Sequence, residues 1–557
     1  MIRRVGLLIL LGGFLTTTLK SQEQDQDKSF IERGEIHGNF QAEGQYYLED
    51  TIIGAPIVPE KFGMNGFANI NYTNGPISAG FRYESYQNAL QGYPEGYKGN
   101  GIPYRYFTYT KDNLTFTVGN FYEQFGNGFI FRTYEERGLG YDNVMDGIRV
   151  GLEVTKGLYL KGVIGQQRVF FELGEGIVRG LDAEAALNDL IPGFEESDHR
   201  VTLGGSFVSK YQEDNNTDLI LPENVGSAAG RFNYKYKRVR ISGEYVYKMN
   251  DPSLDNGYIY KNGEVIFLQA AYSQRGLGIN ASVVRNDNMS FKSDRDIDGN
   301  NLLINYVPAL TRQHTYNLFA TLYPYATQLN GQVGAQFDIT KKFKKKTFLG
   351  GKYGTSIAGN ISAYNNIDTN SIYDQQRVDL GLAPEYTSDY FSLGEKYWRE
   401  YNVELTKKIS KTFSLIADYS YIEYNQNVIE GKNYPWGILT ARVYVIDLTS
   451  RLNQKNAIRT EIQYLDTEQD QGSWATLLVE YTYAPHWYVA VLDQYNFDNP
   501  IEAKQLHYYN FSTGYNKSGT RISLAYGRQR AGIFCVGGVC RVVPASNGFY
   551  MSITHSF

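Results

Sequence analysis

Apolar and polar side chains alternate with a period of two along this chain, from about residue 36 to the end. That period places successive side chains on opposite faces of a β-strand, so the chain must form many strands with two chemically different faces. In residues 148–155 the apolar face begins with Ile148, whereas Arg149 and Glu153 belong to the other face. The same pattern predicts outward apolar sets in two later strands, Phe413, Leu415, Ala417, Tyr419 and Tyr421 in one and Ala475, Leu477, Val479, Tyr481 and Tyr483 in the other.

Composition indicates which kind of all-β protein this is. The 557 residues include 48 Tyr and 57 Gly but only 15 Pro, and the mean hydropathy is −0.41. A soluble protein of this length buries aliphatic cores, whereas a transmembrane barrel needs a thin apolar belt, aromatic girdles and a polar lumen. Charges such as Arg149, Asp418 and Glu480 would cost up to about 4 kcal/mol in hydrocarbon, so they must line the interior. We therefore expect a single large antiparallel transmembrane β-barrel of an outer membrane.

The beginning of the chain predicts export. Arg3 and Arg4 precede an apolar stretch too short for a transmembrane helix, which is the plan of a cleaved secretory signal peptide over residues 1–21. A short polar periplasmic lead over residues 22–35 would follow, and the barrel would occupy residues 36–557. We expect no plug domain ahead of the barrel.

The last residues predict the strand that closes the barrel. Phe549, Met551, Ile553 and Phe557 alternate with other residues, and the sequence stops on an aromatic side chain. This ending resembles the C-terminal signal that the barrel-insertion machinery reads in outer-membrane proteins, although His555 stands where an apolar residue is preferred. The resemblance implies that this machinery is a partner during biogenesis.

Short turns and longer polar segments alternate between the strands, which is typical of short periplasmic turns and long extracellular loops. The pattern predicts about 24 to 26 strands, within a range of about 22 to 26, and slightly favours 26. The difference depends on whether residues 176–187 and 302–310 are strands. A barrel this wide without a plug domain would leave a large hole. We expect internal loops to fill it, residues 129–147 and 364–394 being the candidates, unless a partner protein or lipid does.

One part of the chain concentrates charged residues at positions that can face the lumen. Opposed charges across a narrow lumen create a transverse field, and rings of charged side chains set the selectivity of pores. A constriction that selects solutes by charge is therefore predicted, formed by Glu123, Arg132, Glu135, Glu136, Arg137, Arg149, Glu153 and Arg168. The alternative interpretation of the same residues is a salt-bridge network that props a loop inside the barrel.

Residues 118–150, 302–316 and 535–544 resemble an uncharacterised porin-like family of outer-membrane β-barrels from Bacteroidota. That resemblance implies an outer-membrane location but no particular solute. The strand–loop–strand of residues 119–149 is also similar to a local pattern in alginate-export-type porins, which pass acidic sugars. The second resemblance is confined to that short stretch.

An aspartate-rich stretch offers one weak candidate for a metal site. Asp294, Asp296 and Asp298, followed by Gly299, have the spacing of the first half of a calcium-binding loop. The twelfth position is Asn305 rather than a bidentate glutamate, so an EF-hand is not supported. A loop without metal is the preferred interpretation, and no cofactor other than this weak calcium candidate is expected.

The two cysteines predict a disulfide. Cys535 and Cys540 lie close together in the last long loop of a chain that is expected to be exported. Their spacing is wrong for a redox Cys-x-x-Cys, and no histidine accompanies them at the spacing of a zinc site.

The predicted function follows from the barrel rather than from a catalytic motif. The sequence lacks G-x-S-x-G, H-E-x-x-H and P-loop patterns, so no enzyme is predicted. We expect a porin-like channel for small hydrophilic solutes. The alternative is a structural or accessory subunit of a secretion or barrel-assembly complex. The expected partners are outer-membrane lipid, lipopolysaccharide and other envelope proteins, and no nucleic acid.

Overall fold

One closed sheet accounts for most of the chain. The computed structural model describes residues 34–536 and 539–557, so the predicted signal peptide and nearly all of the predicted periplasmic lead lie outside the described residues. In the described part, 24 long antiparallel strands form a ring in which neighbours in the chain pair with each other. The first and last strands pair from Asn39 opposite Ser556 to Leu48 opposite Asn547. That pairing closes the barrel.

The strands are numbered here in chain order around the ring. Strands β1 to β12 are Glu35–Leu48, Phe62–Asn74, Ile77–Gln87, Gly99–Lys111, Leu114–Phe121, Met145–Thr155, Leu158–Val169, Glu172–Ala186, His199–Tyr211, Asn224–Tyr236, Val239–Lys248 and Gly263–Gln274. Strands β13 to β24 are Leu277–Asp287, Gly331–Phe343, Thr355–Ile372, Glu385–Lys408, Phe413–Asn425, Ile438–Arg451, Asn456–Asp466, Trp474–Tyr483, Trp487–Tyr495, His507–Lys517, Thr520–Gln529 and Ser546–Ser556.

The ring has 24 strands, so the predicted range is confirmed and the slight preference for 26 is wrong. Residues 176–187 fall almost entirely in β8, which pairs with β9. Residues 302–310 form no barrel strand because they fold into the lumen, where Leu303 and Ile304 are buried. Hydrophobic pattern alone does not separate these two cases, since a buried loop can be as apolar as a strand.

The remaining regular structure of the described residues is short. The helices α1 to α4 are Leu187–Leu190, Asn317–Leu322, Gln375–Asp379 and Gln426–Glu430, and short 3₁₀ helices lie at Glu95–Tyr97, Arg137–Leu139, Leu254–Asn256 and Glu502–Lys504. Three small ribbons pair Gln124–Phe125 with Phe131–Arg132, Glu135–Glu136 with Tyr141–Asp142, and Gly532–Val536 with Val539–Val543. Within the described ranges, no helix has both the length and the apolar character needed to cross a membrane.

The two ends of the barrel differ in their connections. At one end, which we call the turn end, tight turns such as residues 112–113 and 237–238 join the strands. At the other, the loop end, connections are as long as residues 122–144 and 288–330. Because the number of strands is even, β1 begins and β24 ends at the turn end.

The side chains that face away from the barrel are apolar around the ring. Leu181, Phe207, Val403 and Val489 stand on four different strands, and each is at least half exposed. The alternation predicted for the three segments is confirmed: the outward sets are exposed or partly exposed, whereas Asp418 on the opposite face is only 5% exposed. A continuous apolar face therefore surrounds a lumen lined by polar and charged groups as well as apolar ones.

Aromatic rings border this outer face at both ends. Tyr419 of β17, Tyr444 of β18 and Tyr464 of β19 are opposite one another in register, and adjacent ring centroids lie 5.1 Å and 6.2 Å apart. Toward the turn end, Trp487 of β21 and Tyr515 of β22 lie 4.6 Å apart. The strands therefore present an apolar band between two aromatic edges.

Three connections from the loop end fold into the lumen. The first two bond to each other, because the Arg132 amide donates to the Ile304 carbonyl at 2.8 Å and the Tyr306 amide donates to the Gly128 carbonyl at 2.9 Å. The position of residues 129–147 in the lumen agrees with the predicted internal loop. We call the three connections the first inward segment (residues 122–144), the crossing segment (residues 288–330) and the terminal hairpin segment (residues 530–545).

The crossing segment is bonded to opposite sides of the barrel. Gln167 of β7 donates from Nε2 to the Leu303 carbonyl at 2.8 Å. The Leu318 amide donates to Oε1 of Gln463 on β19 at 3.0 Å. Strands β7 and β19 lie half the 24-strand ring apart. The segment therefore runs across the width of the lumen, which sequence analysis did not predict.

An apolar core forms where these segments meet the wall. Phe125 and Phe129 of the first inward segment are fully buried, and the Phe129 ring lies 5.2 Å from that of Phe267 on β12. Two glycines on the inward face of β8 permit the approach: a Cβ on Gly180 would lie 2.8 Å from the Phe125 ring, and one on Gly176 would lie 1.9 Å from the Ser293 carbonyl oxygen. The loop-end half of the lumen is therefore packed like a protein interior.

Residues 364–394 do not form the predicted internal loop. Strand β15 continues to Ile372 and β16 begins at Glu385, so most of this stretch extends the wall. The short connection between them packs on a neighbouring connection, because Arg377 donates to the carbonyls of Gly257 at 2.9 Å and Tyr258 at 3.1 Å. The polar composition that suggested a loop belongs to strands that project beyond the other strands.

Candidate functional site

Buried arginines and carboxylates fasten the first inward segment to the wall. Arg82 of β3 contacts Glu84 at 2.6 Å, Glu135 at 2.9 Å and Asp142 at 2.6 Å. Arg168 of β7 contacts Glu84 at 2.6 Å and Asp142 at 2.8 Å. Apart from Glu135, these side chains are at most 5% exposed. We call these five residues the arginine clamp, because two strands hold one inward segment through them.

Further polar and aromatic groups complete the clamp. Arg137 pairs with Glu135 at 2.8 Å and lies over the ring of Phe67 of β2 at 4.6 Å. The Tyr122 hydroxyl donates to Asp142 at 3.0 Å. Burial raises the pKa of Tyr122 well above its ordinary value, so its hydroxyl keeps the proton that it donates. Every charge in this region therefore has a partner of opposite sign or a hydrogen bond.

A second ion pair lies beside the clamp on the same inward segment. Glu123 accepts from Arg149 of β6 at 2.6 Å and from Lys161 of β7 at 2.9 Å. Burial alone would raise the pKa of Glu123, but the hydrogen bonds from Lys161 and from the Gln124 amide, with the charge of Arg149, hold that pKa below its usual range. Two basic wall residues therefore keep this carboxylate ionised.

The other predicted constriction residues have different surroundings. The Arg132 guanidinium contacts the rings of both Tyr134 at 4.5 Å and Tyr306 at 4.1 Å, which joins the first inward segment to the crossing segment. Glu136 accepts from the Gly138 amide at 3.2 Å and caps a 3₁₀ turn. Glu153 lies near the turn end of β6 and is not brought together with the clamp.

Sequence analysis named two of the five clamp residues. Glu135 and Arg168 were predicted, whereas Arg82, Glu84 and Asp142 were missed. The signal for the first two was present, because Arg82 and Glu84 alternate with the outward residues Phe81 and Tyr83 within β3. Asp142 carried no such signal, since it lies in a two-residue strand of a small ribbon outside the alternating wall strands.

The crossing segment brings its own charges to the opposite wall. Arg312 donates to Oδ1 of Asn402 at 2.6 Å and pairs with Glu404, both on β16. His314 Nε2 lies 2.5 Å from Glu400 on the same strand. These contacts hold the middle of the crossing segment against β16.

A cavity remains between the inward segments and the part of the wall where the barrel closes. Its volume is about 610 Å³, and it lies beside β1 and β21 to β24, α2 and the terminal hairpin segment. We call it the seam cavity. Its lining includes Glu43, Ala525, Arg528, Arg530 and Arg541.

The predicted calcium loop is engaged in hydrogen bonds within the protein. Asp294 accepts from Gln212 at 2.9 Å and from the Asp296 amide at 3.0 Å, and Asp296 accepts from the Tyr258 hydroxyl at 2.7 Å. Across the part of the chain that the structure describes, no group of three or more His, Cys, Asp or Glu side chains is arranged to hold a metal ion. The carboxylates of Asp294, Asp296 and Asp298 do not converge on one point.

The predicted disulfide is confirmed. Cys535 and Cys540 are bonded to each other across the ribbon of the terminal hairpin segment. The bond links the two strands of the ribbon, and Arg541, which lines the seam cavity, follows Cys540 directly.

Comparison with protein families places the chain among known sequences. The profile of a family of unknown function, DUF6029, matches residues 3–557. The chain belongs to the DUF6029 family. Among curated proteins, none matches it.

Solved structures are similar to the DUF6029 barrel at low identity. The translocation pore of the P pilus usher PapC is 10% identical, with 94% of this chain and 99% of that chain covered and a TM-score of 0.42. The siderophore receptor PirA from Pseudomonas aeruginosa is 9% identical, with 94% and 80% covered and a TM-score of 0.39. OpdQ from the same organism is 9% identical, with 82% and 99% covered and a TM-score of 0.33. Likenesses at these TM-scores say nothing about what the DUF6029 barrel binds or carries.

The last strand of the DUF6029 barrel and the residue after it present Phe549, Met551 and Phe557 outward. Phe549, Met551 and Phe557 are 55%, 40% and 62% exposed, and Phe557 exchanges backbone hydrogen bonds of 3.0 Å with Gly38. The residues predicted as an insertion signal therefore lie on the apolar outer face of the closing strand. Recognition by insertion machinery remains a prediction.

Proposed function

We propose that the chain is an outer-membrane channel that passes small hydrophilic solutes through a narrowed lumen. The observation that carries this proposal is the seam cavity, a partly polar space of about 610 Å³ beside the wall of a closed apolar-faced barrel. A barrel of 24 strands with an empty lumen would be wider than the porins, whose 16 to 18 strands already enclose an aqueous channel. In this proposal the three inward segments narrow the lumen, and solutes pass by way of the seam cavity.

The outer face supports the membrane part of the proposal. Exposed Leu, Val, Ile and Phe side chains would be unfavourable in water but suit hydrocarbon, and aromatic residues favour the two membrane–water interfaces. The turn end, with its tight connections, would then face the periplasm, and the loop end would face outward among lipopolysaccharide. Both ends of the closed ring, at β1 and β24, lie on the periplasmic side in this arrangement.

The packed lumen favours a second candidate, a structural or accessory subunit of an envelope complex. Phe125, Phe129 and Phe131 are fully buried in the loop-end half of the lumen, so that part of the lumen is packed with side chains rather than filled with water. An accessory subunit would need no passage at all. Conductance of the purified protein separates the two functions, because only the channel carries current without partners.

The test places a large side chain in the seam cavity. Ala525 lies on the inward face of β23 and lines the cavity, so Ala525→Trp should at least halve the single-channel conductance in a planar bilayer. The matched control is Ala271→Trp. Ala271 shares the inward face of β12 with Phe267, on the far side of the lumen.

Two results would contradict the channel. One is a silent bilayer for the wild-type protein, particularly if the protein is recovered from membranes in a stable complex. The other is an equal loss of conductance in both tryptophan variants, because the current would then not pass through the seam cavity.

Selection of solutes by charge near the clamp is a separate proposal. Because Arg82 and Arg168 are fully paired, we propose that the clamp fixes the first inward segment and that any selection by charge in that region depends on Arg149, which is 26% exposed. Arg149→Ala should then change ion preference in the bilayer. An unchanged preference would leave the clamp region with a structural role alone.

A further inference from the structure

The seam cavity contains charged side chains that differ from those elsewhere in the lumen. Three arginines line it, Arg528, Arg530 and Arg541, but only one carboxylate does, that of Glu43. Arg528 is neutralised by Asp50, to which it donates at 2.7 Å and 3.3 Å. The other two arginines have no such partner. In the described part of the chain, no carboxylate forms an ion pair with either of them.

Arg530 is the more buried of the two. It is 8% exposed, and its guanidinium donates to the Ala531 carbonyl at 3.1 Å and to the Thr321 hydroxyl of α2. Its Nε is buried with no hydrogen-bond partner among the described residues. The nearby Asp470 accepts its hydrogen bond from Tyr323 at 3.1 Å instead of pairing with Arg530. Burial lowers the pKa of Arg530 to about 10, as expected for an incompletely compensated charge.

Arg541 approaches the same cavity from the terminal hairpin segment. Its guanidinium lies over the ring of Tyr93 at 4.4 Å, and its Nε and Nη1 are buried with no hydrogen-bond partner among the described residues. The charge of Glu43 attracts it, but Glu43 accepts its hydrogen bond from Gln41 at 2.8 Å. Together with Nε of Arg530, three guanidinium nitrogen atoms beside one cavity therefore lack an acceptor.

Three other buried arginines in the lumen are paired with carboxylates, whereas Arg295 of the crossing segment donates to Gln212 and to the Pro222 carbonyl. Arg82 contacts three carboxylates, and Arg168 and Arg231 each contact two. A buried guanidinium without an acceptor loses its hydration without replacement, which is costly. A carboxylate or phosphate group supplies acceptors in the geometry of the guanidinium fork. A neutral solute supplies no compensating charge.

We propose that the seam cavity is a binding site for a small anionic solute bearing a carboxylate or phosphate group, held by Arg530 and Arg541. The volume of about 610 Å³ is within the range of small-molecule sites and excludes macromolecules. The proposal deepens the proposed function, on which it depends for the route of entry, by naming the class of solute. The wall side of the site comes from the closing strands, and the arginines come from the terminal hairpin segment.

The test measures binding to the full-length protein in detergent, without a membrane. Isothermal titration calorimetry in a buffer free of phosphate compares succinate, inorganic phosphate and succinamide, the neutral analogue of succinate. Succinate or phosphate should bind at least tenfold more tightly than succinamide, because each charged hydrogen bond contributes about that factor. A tenfold preference for one of the two anions identifies the group that the site takes.

Variants locate the site. Arg530→Gln and Arg541→Gln should each weaken anion binding by roughly tenfold. The matched control is Arg459→Gln, since Arg459 lies on β19 outside the seam cavity and donates to Asp447 at 2.9 Å. It should leave binding unchanged. Circular dichroism checks that each variant is folded.

The proposal is overturned if the wild-type protein binds succinamide as tightly as both anions, a comparison that needs no variant. It is also overturned if Arg459→Gln weakens binding as much as Arg530→Gln does. Conductance is measured separately. Anion binding in calorimetry with a silent bilayer refutes the channel but keeps the site. A conducting channel that binds succinamide as tightly as both anions in calorimetry refutes the site alone.

Discussion

The arginine clamp and the seam cavity are two regions of one lumen that bury the same residue type in opposite ways. Arg82 contacts three carboxylates within 3.0 Å, and Arg168 contacts two of the same three. Arg530 and Arg541, by contrast, contact hydroxyl, carbonyl and aromatic groups. A paired buried charge fastens one part of a protein to another. An unpaired one keeps the capacity to bind something that the chain does not supply.

The largest expected effect comes from breaking the clamp. Arg168→Ala leaves Glu84 and Asp142 buried with one cation between them, which should cost about 3–5 kcal/mol of the free energy of unfolding. Urea unfolding of the refolded barrel measures the loss. The control Arg105→Ala removes an exposed partner of Asp146 and should cost about 1 kcal/mol or less. Equal losses in the two variants would show that the clamp is no stronger than a surface ion pair.

A bound anion should stabilise the protein through the seam cavity and not through the clamp. If succinate or phosphate binds the seam cavity, a concentration of 100 times its Kd should stabilise the wild-type barrel by about 2.7 kcal/mol. The urea midpoint measures this shift. Arg168→Ala should keep the shift, since the clamp is separate from the cavity, while Arg541→Gln, with roughly tenfold weaker binding, should lose about half of it at the same concentration. A shift that disappears in Arg168→Ala would mean that the two regions are coupled.

The ion pairs that Glu123 forms with Arg149 and Lys161 should make an intermediate contribution to the free energy of unfolding, and this contribution should depend on pH. Its basic partners are 26% and 36% exposed, so a double-mutant cycle of Glu123 with Arg149 should give a coupling of about 1 kcal/mol. Because the folded-state pKa of Glu123 is lowered, this stabilisation is complete above the ordinary carboxyl pKa and is lost as the pH falls through the lower folded-state value. Glu123→Gln should therefore flatten the acid limb of the stability profile. An unchanged acid limb contradicts this assignment.

The smallest expected effect is at Arg530. Arg530→Met removes an uncompensated buried charge and keeps most of the side-chain volume, so without anion it should change the free energy of unfolding by less than about 1 kcal/mol, in the stabilising direction. The same exchange at Arg168 should be strongly destabilising. If the two methionine variants lose similar stability, the distinction between paired and unpaired arginines does not hold.

The outer face could be predicted from sequence because the alternation of apolar and polar residues indicates which side chains face away from the barrel. Residues 413–421 and 475–483 follow that pattern, and both were predicted correctly, as was the local disulfide of Cys535 with Cys540. The number of strands was less certain. Residues 302–310 are as apolar as a barrel strand, but they are apolar because they are buried in the lumen. Their sequence therefore does not show whether they belong to the wall.

The site could be predicted only in part. Glu135 and Arg168 were named, and the pattern of β3 could have supplied Arg82 and Glu84. The crossing segment could not have been found, because whether a long connection folds inward depends on contacts far apart in the chain, such as Leu318 with Gln463. Arg530 and Arg541 carry no motif, and only the absence of a partner in three dimensions distinguishes them.

The crossing segment also has a mechanical consequence. A ring of strands supported only along its circumference flattens easily into an ellipse, and in the proposed membrane location a compressed or thinned bilayer would apply such a force. The hydrogen bonds of Leu303 to β7 and of Leu318 to β19 connect opposite points of this ring through the crossing segment. The length of the crossing segment then limits how far these two sides of the barrel can move apart. The seam cavity beside it should keep its size when the lipid changes.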